Sequence, residues 1–253
     1  LEPTLSQRKH KLSPVDIIRF LTSKKPLQAS FEITRRCNSR CRICNYWKNP
    51  SSPSKELQIE EIRGIFTDLY EFGIRYVFLS GGEPFLREDI VEVAETLKEI
   101  GVSVELVTNG ILLNETLIRS LLDMPNLRIV VSLDSLRPEL YAQIRGVDKL
   151  PEVLSNIRIL AELSSRRKLP SRINMTINSL NYPEVGNMIQ LCNSLGLYFS
   201  AYPYNSADRG MLMSDDDILA TRNKREDIAR AFEFLSDRCI EEKRIFGFSF
   251  TYG

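Results

Sequence analysis

Short apolar or alternating stretches recur along the chain and predict strands separated by amphipathic helices. The predicted strands cover residues 29–34, 75–80, 103–108, 128–133, 171–177 and 198–203. Helical patterns, with apolar residues three and four apart, lie near 58–72, 88–100, 114–122, 150–165, 183–195 and 222–244. This regular alternation is typical of βα units that build a parallel sheet.

Six such units predict an α/β fold. A closed barrel of this kind needs eight strands, so six leave a gap unless another element or a partner closes it. We therefore predict a partial (β/α)6 TIM-like barrel that is open on one side. A short N-terminal helix should precede it, because Ser13, Pro14 and Asp16 have the form of a helix start.

The fifth predicted strand separates polar from apolar residues. Its two faces carry Arg172, Asn174, Thr176 and Asn178 on one side and Ile173, Met175 and Ile177 on the other. Helices should cover the outside of the sheet, so we predict that the polar face lines the lumen, the concave interior of the barrel. Asn174 is our candidate for a cofactor or substrate contact. An exposed edge strand would show the same alternation.

The sixth predicted strand places several tyrosines on one face, and a polar loop follows it. The residues are Tyr198, Ser200, Tyr202 and Tyr204 in the strand and Asn205, Ser206, Asp208 and Arg209 in the loop. Loops at the carboxyl end of barrel strands carry substrate specificity, so we place these residues on the substrate side. Tyrosines also pack in cores with their hydroxyl groups satisfied, which is the alternative.

Three of the five cysteines, Cys37, Cys41 and Cys44, lie within eight residues with the spacing C-x3-C-x2-C. Such thiolates can bind one metal centre, and soft sulfur ligands select zinc, copper(I) or iron-sulfur clusters. The other cysteines lie in distant helical patterns and the only histidine is His10, so no fourth ligand is apparent. This favours a reactive cluster with one open coordination position. The alternatives are a zinc site completed by a distant residue, a disulfide with a spare thiol, and inert thiols.

Further motifs follow the next three predicted strands, at the same edge of the sheet as the cysteines. They are Gly81-Gly82-Glu83 after the second strand, Thr108-Asn109-Gly110 ending the third, and Ser132 with Asp134 closing the fourth. Active sites of parallel barrels assemble at this edge. Glycines let the backbone approach a ligand closely, and Glu83 offers an anionic acceptor to an ammonium group. An ordinary strand-to-helix turn is the alternative.

Composition excludes few partners by itself. Lys and Arg number 34 against 33 Asp and Glu, so the net charge of +1 gives no reason to expect nucleic acid or an anionic membrane. No apolar run approaches the roughly 20 residues of a membrane span, and no signal-peptide core is present at the start. An odd number of cysteines, clustered as ligands, suits a reducing compartment, so we expect a cytoplasmic protein.

Taken together and in order, these segments resemble the motifs of the radical S-adenosylmethionine (radical SAM) superfamily over roughly residues 29–245. The cysteine spacing resembles its cluster-binding loop and Gly81-Gly82-Glu83-Pro84 its GGEP motif, while Ser132-Leu133-Asp134-Ser135 and Arg145-Gly146 resemble later segments. The resemblance implies the same open (β/α)6 barrel. One position departs from the family: Ile43 precedes the third cysteine, where an aromatic residue is usual. We therefore expect an aliphatic surface for adenine, with Trp47 covering the loop.

The resemblance implies a [4Fe-4S] cluster on Cys37, Cys41 and Cys44, with S-adenosyl-L-methionine as the second cofactor. The implied cofactor-binding residues are Tyr46, Gly81, Gly82, Glu83, Pro84, Thr108, Asn109, Ser132, Asp134, Arg145, Asn174 and Tyr202. The GGEP segment would hold the methionine amino group, and Ser132 with Arg145 its carboxylate. Asp134 would reach the ribose. The alternative is that Asp134 caps a helix and Arg145 lies on the surface.

The implied activity is reductive cleavage of S-adenosylmethionine to a 5′-deoxyadenosyl radical, which abstracts hydrogen from a peptide, cofactor precursor or lipid. The expected partners are a small-molecule or peptide substrate and a one-electron donor such as ferredoxin or flavodoxin. Two rivals are a zinc-stabilised binding domain and a conventional barrel enzyme with structural cysteines. The second would need an acid-base pair, yet the only histidine, His10, lies outside the predicted barrel.

We expect three segments along the chain. Residues 1–28 form an N-terminal lead and helix, 29–245 the radical SAM core, and 246–253 the start of a C-terminal extension of the SPASM or twitch type. The last segment alternates like a strand.

Overall fold

The computed structural model describes residues 26–165, 167, 170–204, 219 and 224–241. One sheet contains β1 Gln28–Thr34, β2 Tyr76–Gly81, β3 Ser103–Thr108, β4 Leu127–Ser132, β5 Arg172–Ile177 and β6 Tyr198–Pro203. All neighbouring strands are parallel and follow chain order. Within the described residues, β1 and β6 each pair with one strand, so the predicted α/β partial barrel, open on one side, is confirmed.

Helices alternate with these strands. They are α1 Ile59–Phe72, α2 Ile90–Ile100, α3 Glu115–Leu122, α4 Pro138–Arg145, α5 Leu150–Ser164, α6 Val185–Leu195 and α7 Arg225–Glu241. Helix α4 is additional to the predicted series; Pro138 begins it, and it ends at Gly146, whose φ of 69° is in the left-handed region that glycine tolerates. The predicted N-terminal helix, the loop 205–209 and the segment 246–253 lie outside the described residues.

The two faces of the sheet differ in burial. The face under the helices is apolar and closed to solvent, with Leu79, Leu106 and Ile173 at 0% exposure. The opposite, lumen face alternates with it, and its residues in β2 and β3 are half-buried. Strand β5 pairs with both β4 and β6, so it is not an edge strand. Its polar face therefore lines the lumen, as predicted.

One group of charged residues lies on the lumen face near the amino ends of β4 and β5. The Glu105 carboxylate accepts hydrogen bonds from Arg128 Nη1 at 2.9 Å and from Arg172 Nη2. Arg128 also lies 5.4 Å from the centroid of the Tyr198 ring. Burial lowers the pKa of Arg128, and the Glu105 carboxylate partly offsets this. These hydrogen bonds join β3, β4 and β5 on the lumen face.

A search of the described helices found none that combines the length and the apolar character needed to cross a bilayer.

Candidate active site

The loops that follow β1, β2 and β3 are connected by the Glu83 side chain and its neighbours. Glu83 is fully buried, and its carboxylate accepts hydrogen bonds from Thr108 Oγ1 at 2.8 Å, Asn109 N at 2.8 Å and Phe85 N at 3.2 Å. Pro84, also buried, begins the 3-10 turn Pro84–Leu86. The motifs after β2 and β3 therefore form one unit.

Asn109 extends this unit to the cysteine loop. Its Nδ2 donates to Asn38 Oδ1 at 2.7 Å and to Ser39 Oγ at 3.2 Å. Ser39 N in turn donates to Cys37 Sγ at 3.4 Å. The amide of a residue predicted to touch the cofactor thus holds the loop that carries the cysteines.

The two glycines of the GGEP segment allow backbone to approach backbone. Gly82 N donates to Thr34 O at 2.8 Å, and Glu83 N donates to Arg36 O at 2.7 Å. A Cβ atom added to Gly82 would lie 2.1 Å from Arg36 O, far inside van der Waals contact. A Cβ atom added to Gly81 would likewise lie 2.2 Å from Thr34 O. The glycines therefore let the chain at Thr34 and Arg36 pack against them, and their approach to a ligand stays a prediction.

The Glu83 carboxyl, the predicted acceptor for an ammonium group, is closed to solvent at 0% exposure. Burial raises the pKa of this carboxyl to about 7, although the hydrogen bonds from Asn109 N, Thr108 and Phe85 N pull it down. In the described structure the side chain joins the loops after β2 and β3. Its contact with an ammonium group stays a prediction.

Replacing Glu83 with Gln should remove one pH-dependent contribution to stability. Because the folded pKa of about 7 lies above the usual value for Glu, the neutral carboxyl stabilises the fold fully below about pH 4.3, and this contribution is lost as pH rises through 7. The loss is on the order of 3 kcal/mol. Gln stays neutral throughout. Urea unfolding of both proteins between about pH 4.5 and 7.5 measures the effect. The free energy of unfolding of the wild type, minus that of Glu83→Gln, should fall as the pH rises. A difference that stays constant with pH would contradict the assigned pKa.

On the β4 side, Asp134 and Arg145 form a buried ion pair. Arg145 Nε lies 2.6 Å from Asp134 Oδ2, and Asp134 Oδ1 accepts a hydrogen bond from Thr176 N at 2.8 Å. Arg145 is only 7% exposed and Asp134 is fully buried. Burial lowers the pKa of Arg145, but the Asp134 carboxylate outweighs it and the net shift is upward. The surface alternative for Arg145 is therefore wrong. Contact of Asp134 with a ribose stays a prediction.

The end of helix α4 packs directly on the cysteine loop. Arg40 N donates to Arg145 O at 3.2 Å, and Arg42 N donates to Ile144 O at 2.9 Å. A Cβ atom on Gly146 would lie 2.3 Å from Arg40 O, so this approach needs glycine. Arg145 Nη1 lies 4.0 Å from Cys41 Sγ. Helix α4 thus fixes both the backbone of the loop and the surroundings of one sulfur.

The three clustered cysteines have free thiols, Cys41 buried and Cys37 and Cys44 half-buried. Burial, together with the nearby thiols of Cys41 and Cys44, raises the pKa of the Cys37 thiol to about 11. Burial also raises the pKa of Cys41, against the opposing effect of Arg145. No disulfide joins any of these three cysteines in the structure, so the disulfide alternative is wrong for them.

The donor set fits an iron-sulfur cluster better than a zinc ion. Among the side chains in the described ranges, no three of His, Cys, Asp or Glu are arranged to hold a single metal ion. A tetrahedral zinc would need its thiolates about 2.3 Å from one point. In a cluster each cysteine binds a different iron, so the sulfurs stand further apart. Three soft thiols in one short loop are donors of the kind that such a cluster takes.

The side chains of Ile43 and Trp47 make different contacts in the cysteine loop. Ile43 is 6% exposed and packs in a small apolar cluster with Leu140, Ile144 and Tyr204. The Ile43 side chain therefore packs the loop against α4, and the aliphatic surface for adenine stays a prediction. Trp47 Nε1 donates to Cys41 O at 3.0 Å, so the indole covers the loop as expected.

The remaining predicted residues lie along the lumen face. Ser132, Asn174 and Ser200 are directly adjacent across β4, β5 and β6, and Ser200 Oγ donates to Asn174 Oδ1 at 3.0 Å. Tyr202 is half-buried beside Thr176. Tyr46 lies in a 3-10 turn after the cysteines, and its hydroxyl donates to Glu32 of β1. These groups offer polar contacts around an open interior.

Sequence reasoning missed an ion network beside the cysteine loop. Half-buried Glu56 accepts hydrogen bonds from Arg36 Nε at 2.9 Å and from Thr34 Oγ1, and Arg87 Nη1 lies 3.8 Å from its carboxylate. Arg87 also bonds Asp89 at 2.6 Å. No spacing rule identifies these partners, because they come from three separate segments of the chain. The one signal in the sequence is that Arg36 lies next to Cys37 and that Arg87 follows the GGEP segment closely.

A parallel six-stranded sheet around a polar lumen, with a thiol-bearing loop at its carboxyl edge, defines a partial-barrel enzyme equipped for a soft metal centre. The family model described as Radical SAM superfamily matches residues 31–192. The chain belongs to the Radical SAM superfamily. Membership implies S-adenosylmethionine and an iron-sulfur cluster as cofactors.

Two curated relatives show the extent of the similarity. A probable GTP 3′,8-cyclase of Methanocaldococcus jannaschii is 33% identical over 165 residues, which are 65% of this chain and 54% of that protein. An AdoMet-dependent heme synthase of Methanosarcina barkeri is 31% identical over 173 residues, 68% of this chain and 48% of that protein. The chain therefore spans about half the length of the curated relatives it matches.

The fold is similar to that of SuiB from Streptococcus suis. SuiB bound to its precursor peptide SuiA gives a TM-score of 0.71 at 18% identity, covering 92% of this chain and 51% of SuiB. SuiB bound to S-adenosylmethionine gives a TM-score of 0.70 at 16% identity, and the match covers 93% of this chain and 53% of SuiB. At such identity the similarity shows the fold alone.

Proposed function

We propose that Cys37, Cys41 and Cys44 hold a [4Fe-4S] cluster with one iron left open for S-adenosylmethionine. When bound, the cluster would supply one electron for cleavage of S-adenosylmethionine to methionine and a 5′-deoxyadenosyl radical that takes a hydrogen atom from substrate. The observation that carries this proposal is the connection of the three-thiol loop to the loops after β2 and β3 through Glu83 and Asn109.

The residues of this chain have three tasks in the proposal. Asn109 and the GGEP backbone hold the cysteine loop in place through direct hydrogen bonds. The lumen row of Ser132, Asn174 and Ser200 supplies hydroxyl and amide groups that can orient the polar parts of S-adenosylmethionine. Helices on the outer face close the apolar side of the sheet, so access is from the lumen, where water and stray hydrogen donors must be excluded.

The location and the electron source follow from the cluster. A one-electron donor such as ferredoxin or flavodoxin must approach the cysteine edge of the barrel, because the cluster would lie there. We place the protein in a reducing, cytoplasmic compartment, where free thiols persist.

We propose nucleotide precursors as the first candidate substrates, before peptides and lipids. A relative that is 33% identical over 165 residues is named a probable GTP 3′,8-cyclase, which favours a nucleotide. The hydroxyl and amide groups of Ser132, Asn174 and Ser200 in the lumen can form hydrogen bonds with the polar groups of such a molecule.

Anaerobic reconstitution with iron and sulfide, followed by a 5′-deoxyadenosine assay, tests the proposed function. We expect about four irons per chain and 5′-deoxyadenosine that forms only with reductant. Stoichiometric zinc without iron after anaerobic preparation would instead support a zinc-stabilised binding domain. A loaded cluster that leaves S-adenosylmethionine intact would contradict the proposal. Adding GTP or guanosine to the same assay compares a phosphorylated with an uncharged nucleoside.

A further inference from the structure

Helix α4 ends on the cysteine loop and brings one cation to one sulfur. Arg145 Nη1 lies 4.0 Å from Cys41 Sγ, whereas its Nε lies 2.6 Å from Asp134 Oδ2. Cys41 is the most buried of the three clustered cysteines, at 7% exposure. The guanidinium therefore lies between a carboxylate and a sulfur, both shielded from water.

Several bonds keep the guanidinium in this position. Asp134 Oδ1 is held by Thr176 N at 2.8 Å, and Asn181 Nδ2 donates to Asp134 O at 2.9 Å. The Arg145 backbone is held in turn by Arg40 N, from within the cysteine loop. Arg145 can therefore move away from Cys41 only if it gives up a buried ion pair.

The position of this charge matters for electron transfer. Reduction potentials of iron-sulfur clusters depend on net charge, hydrogen bonds to the sulfurs and solvent exposure. A fixed cation beside a ligand sulfur stabilises the reduced, more negative cluster, and low exposure strengthens the interaction. The Asp134 carboxylate, on the other side of the guanidinium, favours the oxidised cluster and so lowers its reduction potential.

We propose that Arg145 is a positioning residue that raises the reduction potential of the cluster through Cys41, and that Asp134 sets the size of this effect. The inference rests on the proposed function, because it needs the cluster on Cys41. It differs from the role that family resemblance implies, in which Arg145 holds the methionine carboxylate, because it acts before S-adenosylmethionine binds.

The test is the midpoint potential of the reconstituted chain, followed by EPR during redox titration without S-adenosylmethionine. Arg145→Met should shift the potential to more negative values, since it removes the cation. Asp134→Asn should shift it to more positive values, since it removes the opposing anion. The double variant should lie between them. A merely structural role for the pair would not produce shifts of opposite sign.

Two further variants separate charge from folding. Arg145→Lys keeps the cation without the planar fork and should retain part of the wild-type potential. Arg119→Met, at an exposed arginine of α3, should leave the potential unchanged. If Arg145→Met assembles no cluster, the double variant, which leaves no unpaired buried charge, takes its place in the comparison with Asp134→Asn.

The outcomes distinguish this inference from the proposed function. A wild-type chain that takes up no iron-sulfur cluster would overturn both. Loaded variants whose potentials equal that of the wild type would overturn the inference alone, even if Arg145→Met weakens binding of S-adenosylmethionine.

Discussion

Cys41→Ala is expected to abolish both cluster assembly and cleavage of S-adenosylmethionine. Cys41 is the middle cysteine of the spacing, it is 7% exposed, and its sulfur lies 4.0 Å from Arg145 Nη1. Without this sulfur two thiols remain, too few to hold a cubane and still leave a defined open iron. The iron content, the visible absorbance of the cluster and the rate of 5′-deoxyadenosine formation should all fall to background in the anaerobically reconstituted variant.

Cys192→Ala provides the matched control. Cys192 is a free thiol at 1% exposure in the apolar core of α6, away from the cysteine loop. Its replacement should cost about 1 kcal/mol of stability through lost packing but leave the iron content unchanged. If Cys41→Ala still cleaved S-adenosylmethionine at a rate near that of Cys192→Ala, the assignment of the cluster ligands would be refuted.

Gly82→Ala is expected to destabilise the fold strongly. The new Cβ would lie 2.1 Å from Arg36 O, and a backbone oxygen cannot swing aside as a flexible side chain can. Relief requires the cysteine loop to separate from β2, which breaks the bond from Glu83 N to Arg36 O. We expect a loss of about 3 kcal/mol or more in the free energy of unfolding, measured by urea titration, together with poor cluster assembly.

Gly64→Ala is the control for this variant. Gly64 lies in α1 with nothing within 4 Å of an added Cβ, so alanine should stabilise the helix by about 0.5 to 1 kcal/mol. Equal unfolding free energies for the two variants would show that the approach of Gly82 to the cysteine loop is less tight than described.

The strands and their faces could be predicted from sequence because each residue pattern reports burial directly. The alternation around Asn174 predicted a polar lumen, and the pairing of β5 with β4 and β6 confirms it. Helix α4 was harder to predict. It has only eight residues, and its apolar side chains Leu140, Tyr141 and Ile144 fill about two turns, too few for a clear period.

The residues of the site could be predicted more easily than their partners. Glu83, Asn109, Asp134 and Arg145 all lie where the motifs placed them, at the carboxyl edge of the sheet. Sequence alone does not reveal that Asp134 binds Arg145, since a carboxylate pairs equally well with a protein cation or with a polar ligand group. The choice depends on distances between loops that lie far apart along the chain.

The most direct test of the central claim is Mössbauer spectroscopy of the chain reconstituted with labelled iron, with and without S-adenosylmethionine. If three cysteines hold a cubane and leave one iron open, one iron in about four should change its signal when S-adenosylmethionine is added. A spectrum that S-adenosylmethionine leaves unchanged, or in which every iron already has a protein ligand, would contradict the account.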